Sequence, residues 1–153
     1  MRMAHHVYNL RSWRAFSVIS RALSKAAERF GARIVQFAVE GNHVHLIVEA
    51  VDTSALSRAM QGFSIRVAKG LNMMMNKSGR VLADRYHSHL LRTPTEARRA
   101  VAYVRNNHRK HMARVGERLS PRYVDVYSSE RADIVLPAPR SWLLRSREPP
   151  LIS

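Results

Sequence analysis

Residues 40–49 read Glu40-Gly41-Asn42-His43-Val44-His45-Leu46-Ile47-Val48-Glu49, a polar turn followed by an aliphatic run that opens with two histidines flanking one valine. The run has the character of a β-strand. Side chains alternate along a strand, so His43, His45 and Ile47 share one face while Val44, Leu46 and Val48 take the other. Two imidazoles projecting the same way from a rigid element suit two ligands of one metal ion, because the strand fixes their separation before anything binds. In a chain with eight histidines the His-x-His pattern also arises without a function, and its neighbours must decide. Upstream, residues 33–39 form a second aliphatic-aromatic run, and Glu40-Gly41-Asn42 between the two runs carries turn chemistry. The pair therefore reads as an antiparallel hairpin with the histidines just after the turn.

The rest of the chain supplies helices on either side. Ser12 is a candidate N-cap for a helix in which Phe16, Ile19, Leu23, Ala26 and Phe30 recur at helical spacing until Gly31 stops it. After the hairpin, Thr53 or Ser54 caps a second helix lined by Leu56, Met60, Phe63, Val67 and Leu71. Residues 81–92 read as a further extended segment. It holds a second His-x-His, His87-Ser88-His89, ranked below the first because Arg85 and Arg92 flank it and a cation close to a metal site is unfavourable. Thr93, Pro94 and Glu96 have the spacing of an N-cap, a first-turn proline and a capping box. The helix they open is expected to run to about Met112, with Ala97, Val101, Val104 and His108 inward and Tyr103, Asn107 and Lys110 along an adjoining face. The order of elements fits a ferredoxin-like α+β fold: an antiparallel sheet with helices on one face and the other face free, its first strand short or missing. Residues 1–114 form the expected domain. Residues 115–153 form a tail punctuated by Pro121, Pro137, Pro139, Pro149 and Pro150, docking through Trp142, Leu143 and Leu144.

Charge narrows the partners. The chain of 153 residues has 26 Lys+Arg against 11 Asp+Glu, a formal net charge of +15, which points to a polyanion. There is no apolar run long enough to cross a bilayer and no Lys-rich amphipathic helix, so nucleic acid is favoured over a membrane. The charge concentrates in residues 80–122, with eleven Lys/Arg against three acids, whereas residues 123–153 hold four of each. Without cysteine there is no disulfide, no thiolate metal site and no cysteine nucleophile. Residues 1–10 are polar and do not resemble a signal peptide, and a cytoplasmic location is the expectation.

Two co-facing histidines and a helical tyrosine followed one turn later by an amide suggest a reaction. A tyrosine hydroxyl titrates near pH 10 in water, so its attack on a phosphodiester gains from a divalent ion that polarises the phosphate. Gly41-Asn42-His43-Val44-His45-Leu46-Ile47-Val48-Glu49, Met60-Gln61, Asp84-Arg85-Tyr86-His87 and Ala102-Tyr103-Val104-Arg105-Asn106-Asn107 occur in the order and spacing of the single-tyrosine HUH (IS200-like) transposases. The chain resembles above all their REP-associated tyrosine transposase branch, over roughly residues 9–127. That resemblance implies cleavage and rejoining of single-stranded, hairpin-bearing DNA through a 5′-phosphotyrosine, with Mg²⁺ or Mn²⁺. It implies His43 and His45 as metal ligands, Tyr103 as nucleophile and Asn107 as third ligand. Arg85, Arg98, Arg99, Arg105, Arg109 and Lys110 are the candidate DNA contacts, and a homodimer is left open.

Two departures from the family bear on this. Asn106-Asn107-His108 replaces Asn-Pro, so the helix is expected to continue. Only residues 1–7 stand where family members carry a full first strand. The alternative to an active enzyme is a decayed or domesticated DNA-binding module of the same fold. A hydrolase using water as nucleophile ranks last, since its usual His-x-Thr/Ser motifs are missing.

Overall fold

A computed structural model describes residues 1–130 and 133–145. The element order is α1 (Trp13–Ala26), β1 (Glu28–Arg29), β2 (Ala32–Val39), β3 (Val44–Ala50), α2 (Thr53–Met75), α3 (Pro94–Arg114) and α4 (Trp142–Arg145). The expected α+β class and antiparallel sheet are both present, with strand order β1-β2-β3. Pro149 and Pro150 lie outside the described residues.

The hairpin is the centre of the sheet. Phe37 pairs with Leu46, Ala38 with His45 and Val39 with Val44, and one extra residue, Val35, is bulged out between Ile34, opposite Val48, and Gln36, opposite Ile47. Bulges of this kind let one strand carry an additional residue against its partner. Residues 1–4 continue the sheet beyond β3. Met1 N donates to Val44 O and Val44 N to Met1 O, both at 2.8 Å, while Ala4 N reaches Val81 O and Ala83 N reaches Arg2 O. These contacts amount to single bridges, Arg2 to His43 and Met3 to Leu82; the short first strand expected at residues 4–10 through Val7 and Tyr8 does not form there, and residues 2 and 3 make the pairing instead. On the other side Tyr127 O and Ser129 N pair with Val39 N and Phe37 O, and the segment around Ser128 covers what would otherwise be the open edge of β2.

Two cores sandwich the sheet. Phe16, Ile19 and Leu23 of α1 and Phe63, Val67 and Leu71 of α2 pack on Ile34, Phe37, Val39 and Val44. Each such large apolar side chain contributes about 2 kcal/mol by leaving water. The opposite face was expected to be free, but α3 crosses it, Val104 packing on Val35, Ala38 and Ile47, with Val101 and Leu144 alongside. The physical reason is that β2 and β3 are apolar on both sides. A solvated sheet face needs polar residues there, and Val35, Ala38 and Ile47 demand cover. Leu144 docks against this second core while Trp142 remains exposed.

The helix starts follow their caps, whereas α1 ends at Ala26, short of the expected stop at Gly31, because Glu28 and Arg29 pair with β2. Ser12 accepts from Ala15 N, and the Thr93/Glu96 capping box is complete with Pro94 in the first turn. Asp52, not Thr53 or Ser54, caps α2, accepting from Ala55 N at 2.6 Å. It stands one residue ahead of the two hydroxyl candidates, and a carboxylate makes the stronger, charge-assisted cap. At its far end Asn76 takes the left-handed conformation that closes the helix. α3 continues through His108 to Arg114, as the absence of a proline requires. Residues 81–92 differ from expectation: only Leu82 makes a bridge, and from Asp84 onward the segment is irregular. Arg85, His87, His89 and Leu90 are all exposed there, so its alternation finds no second face to bury.

Candidate active site

The face of the hairpin that carries His43 and His45 is the face that α3 crosses. Their rings meet edge to face, with centroids 4.6 Å apart. Tyr103, from the middle of α3, stands edge-on to His45 at 5.4 Å. The close approach is permitted by Ala38, the small cross-strand partner of His45. Asn107 follows Tyr103 by one turn, and both line a cleft of about 470 Å³ with His43, Glu40, Lys110 and His111. Tyr103 is 47% exposed, so its hydroxyl is open to a large substrate. The Lys110 ammonium lies 5.3 Å from the centre of its ring, within cation–π range of it.

The imidazoles are held as neutral donors. Burial, then the neighbouring His43 and the amino terminus, push His45 down to about 4. Burial likewise lowers His43, with Glu40 acting in the opposite sense. His43 Nδ1 lies 2.7 Å from Asn42 Oδ1, an arrangement that leaves Nε2 as the free lone pair. Among the described residues four buried side-chain polar atoms have no hydrogen-bond partner, and three of them belong here: His45 Nε2, Asn107 Nδ2 and Glu40 Oε1. Buried groups of this kind are costly unless something satisfies them. Neutral, unpartnered imidazole nitrogens on one strand face fit a divalent ion. Among the described residues no three His, Cys, Asp or Glu side chains are grouped to hold a metal, so an amide, water or phosphate must complete any coordination sphere.

The candidate DNA contacts divide by position. Arg99, Arg105 and Lys110 are exposed along α3, and Arg85 is exposed in the irregular segment before it. Arg98 is partly buried and touches Thr95 Oγ1. Arg109 instead donates to the carbonyls of Leu119, Pro121 and Tyr123 and holds the segment after α3 in place. Arg11 does the same from the other side: it donates to both oxygens of Asp125 and to Val39 O. Sequence reading missed Glu40, taken only as a turn residue, and His108, taken only as part of the inward stripe. His108 Nδ1 lies 3.4 Å from Glu40 Oε2. The available signal was that Glu40 closes a tight turn onto His43 and so faces the same way.

A strongly basic helix laid across the histidine-bearing hairpin of an α+β protein fits a polyanionic partner. Residues 10–107 match the family described as transposase IS200 like, and the chain belongs to that family. No curated protein and no solved structure matches the chain. Membership makes DNA its partner and DNA transposition, by cleavage of DNA, its type of activity. No described helix is long and apolar enough to cross a membrane.

Proposed function

We propose that the chain is a metal-dependent DNA strand transferase acting on single-stranded or hairpin DNA, with Tyr103 as nucleophile. The observation that carries this reading is the edge-to-face series of His43, His45 and Tyr103 with Asn107 one turn beyond, in which His45 Nε2 and Asn107 Nδ2 are buried without a hydrogen-bond partner. His43, His45 and the Asn107 side-chain oxygen would hold Mg²⁺ or Mn²⁺. When bound, the ion supplies Lewis acidity at the scissile phosphate. The Tyr103 oxygen attacks phosphorus, the bond from phosphorus to the 3′-oxygen breaks, and the tyrosine proton ends on the departing 3′-hydroxyl. The product is a 5′-phosphotyrosine and a free 3′-OH, and reversal with a second 3′-OH rejoins the strand. No nucleotide hydrolysis is needed, because the bond energy stays in the phosphotyrosine. Arg85, Arg98, Arg99, Arg105 and Lys110 offer positive charge to the backbone, Arg109 acting through the segment it holds.

The test is incubation of the protein with Mn²⁺ and labelled hairpin DNA from the flanks of its own gene, followed by denaturing electrophoresis. The expected result is a covalent adduct that disappears in Tyr103→Phe. An adduct that survives this substitution rejects the nucleophile. A second reading, a DNA-binding module without cleavage, is favoured by the single-bridge pairing of residues 1–4. It predicts tight binding and no adduct with either metal.

A further inference from the structure

Among the described residues Glu40 is the one acidic side chain lining the cleft, and it is only 4% exposed. Its Oε2 faces His108 Nδ1 at 3.4 Å, and its charge is further offset by attraction to Arg11. Its other oxygen, Oε1, is buried without a partner, as is Asn107 Nδ2. The two orphans are complementary in kind, since a carboxylate only accepts and an amide NH₂ only donates. They belong to the two elements that meet at the cleft, the turn after β2 and the middle of α3.

We infer that Glu40 is the positioning residue for Asn107. Its free oxygen takes up the Asn107 amide N–H through one bridging water, and so turns the amide oxygen to the opposite, open side of the cleft. An asparagine has two ends of nearly equal size and only the oxygen ligates a cation, so a side chain that claims the NH₂ end settles which one is offered. His108, one residue on, anchors the same carboxylate from the same helix and keeps it in register with Asn107. The inference rests on the reading of Asn107 as an oxygen ligand.

The test is Mn²⁺ affinity of the full chain without DNA, read from the electron paramagnetic resonance signal of the free ion. The expected loss is about tenfold or more in Glu40→Met, as for orienting partners of metal ligands generally, with a smaller loss in Glu40→Gln, whose amide offers either end. Asn107→Ala is expected to weaken Mn²⁺ comparably. The double variant Glu40→Met/Asn107→Ala should be no weaker than Asn107→Ala alone, because both changes remove one interaction. DNA affinity and melting temperature of Glu40→Gln, the conservative variant, stay near wild type. Wild-type Mn²⁺ affinity in both Glu40 variants, or losses that multiply in the double variant, overturns the inference. His45→Ala separates the two readings. If it binds Mn²⁺ like wild type, the metal site itself is refuted; if it loses Mn²⁺ while the Glu40 variants do not, only the role of Glu40 is refuted.

Discussion

The rings of Tyr103 and His45 stand at 88° with their centroids 5.4 Å apart, which makes the candidate nucleophile and a candidate metal ligand direct neighbours across the junction of α3 and β3. Phenylalanine at position 103 preserves that contact and removes only the hydroxyl. Tyr103→Phe should therefore change stability by no more than about 0.5 kcal/mol and leave DNA affinity unaltered, while adduct formation falls to background. A denaturant titration beside the adduct assay checks both halves.

The environment of His45 sets a pH dependence. Burial holds its folded pKa at about 4, below the ordinary value near 6.5, so protonation favours the unfolded chain. Stability is greatest above about pH 6.5 and falls as pH drops toward 4; because the ring is only partly buried, solvent screening holds the loss at pH 5 to about 1 kcal/mol. Urea midpoints measured in chelator at pH 7 and pH 5 should show this drop, reduced in His45→Gln. Equal pH profiles for the two proteins would contradict the neutral, partly buried imidazole.

Arg11 and Asp125 form an ion pair whose side chains are 13% and 5% exposed, and the guanidinium also lies 4.5 Å from the centre of the Tyr127 ring. Removing one partner strands a buried charge. Arg11→Ala should cost about 3–5 kcal/mol and expose residues 119–129 to proteases. Replacing both partners with apolar residues should recover much of the loss. Limited proteolysis followed by mass spectrometry reads the effect directly.

Gly70 lies on α2 where a Cβ would come within 2.5 Å of Val18 Cγ1 on α1. Helix propensity favours alanine over glycine by about 1 kcal/mol, but the approach is too close for Val18 to stay where it is, and Val18 is buried. Gly70→Ala should be destabilising in spite of propensity. The pair Gly70→Ala/Val18→Ala should be more stable than Gly70→Ala alone, and thermal melts of the three variants decide it.

Arg105 and Arg109 are four residues apart on α3 but differ in employment. Arg105 has an open side chain, and Arg105→Ala should reduce the salt slope of single-strand binding by about 0.7. Arg109 holds three carbonyls. Arg109→Ala should instead lower stability by about 1–3 kcal/mol, with the salt slope unchanged. Affinities at several salt concentrations separate the two outcomes.

What could be read from the sequence was the part governed by local rules. Alternation along 44–48 placed His43 and His45 on one face, and the Thr93-Pro94-Glu96 signature placed α3 and with it the spacing of Tyr103 and Asn107. What escaped was set by contacts between distant segments. Nothing near residue 104 says that α3 lies on the histidine face; that follows from Val35, Ala38 and Ile47 needing cover. Residues 81–92 carry a strand-like pattern, but only Leu82 finds a partner in Met3. Glu40 looked like turn chemistry because its burial depends on His108 and Arg11, far away in the chain.

The bulge at Val35 has a consequence for Glu40. Counting by twos from Ile34, which faces α1 and α2, an uninterrupted strand would send Ala38 and Glu40 to that same side. The single extra residue at Val35 reverses the parity of everything after it and brings Ala38 beneath His45 and Glu40 into the cleft. The chemistry available at this end of the hairpin is thus decided by whether a count is odd or even. In any aligned relative, a one-residue gap at this point would matter more to the site than many substitutions around it.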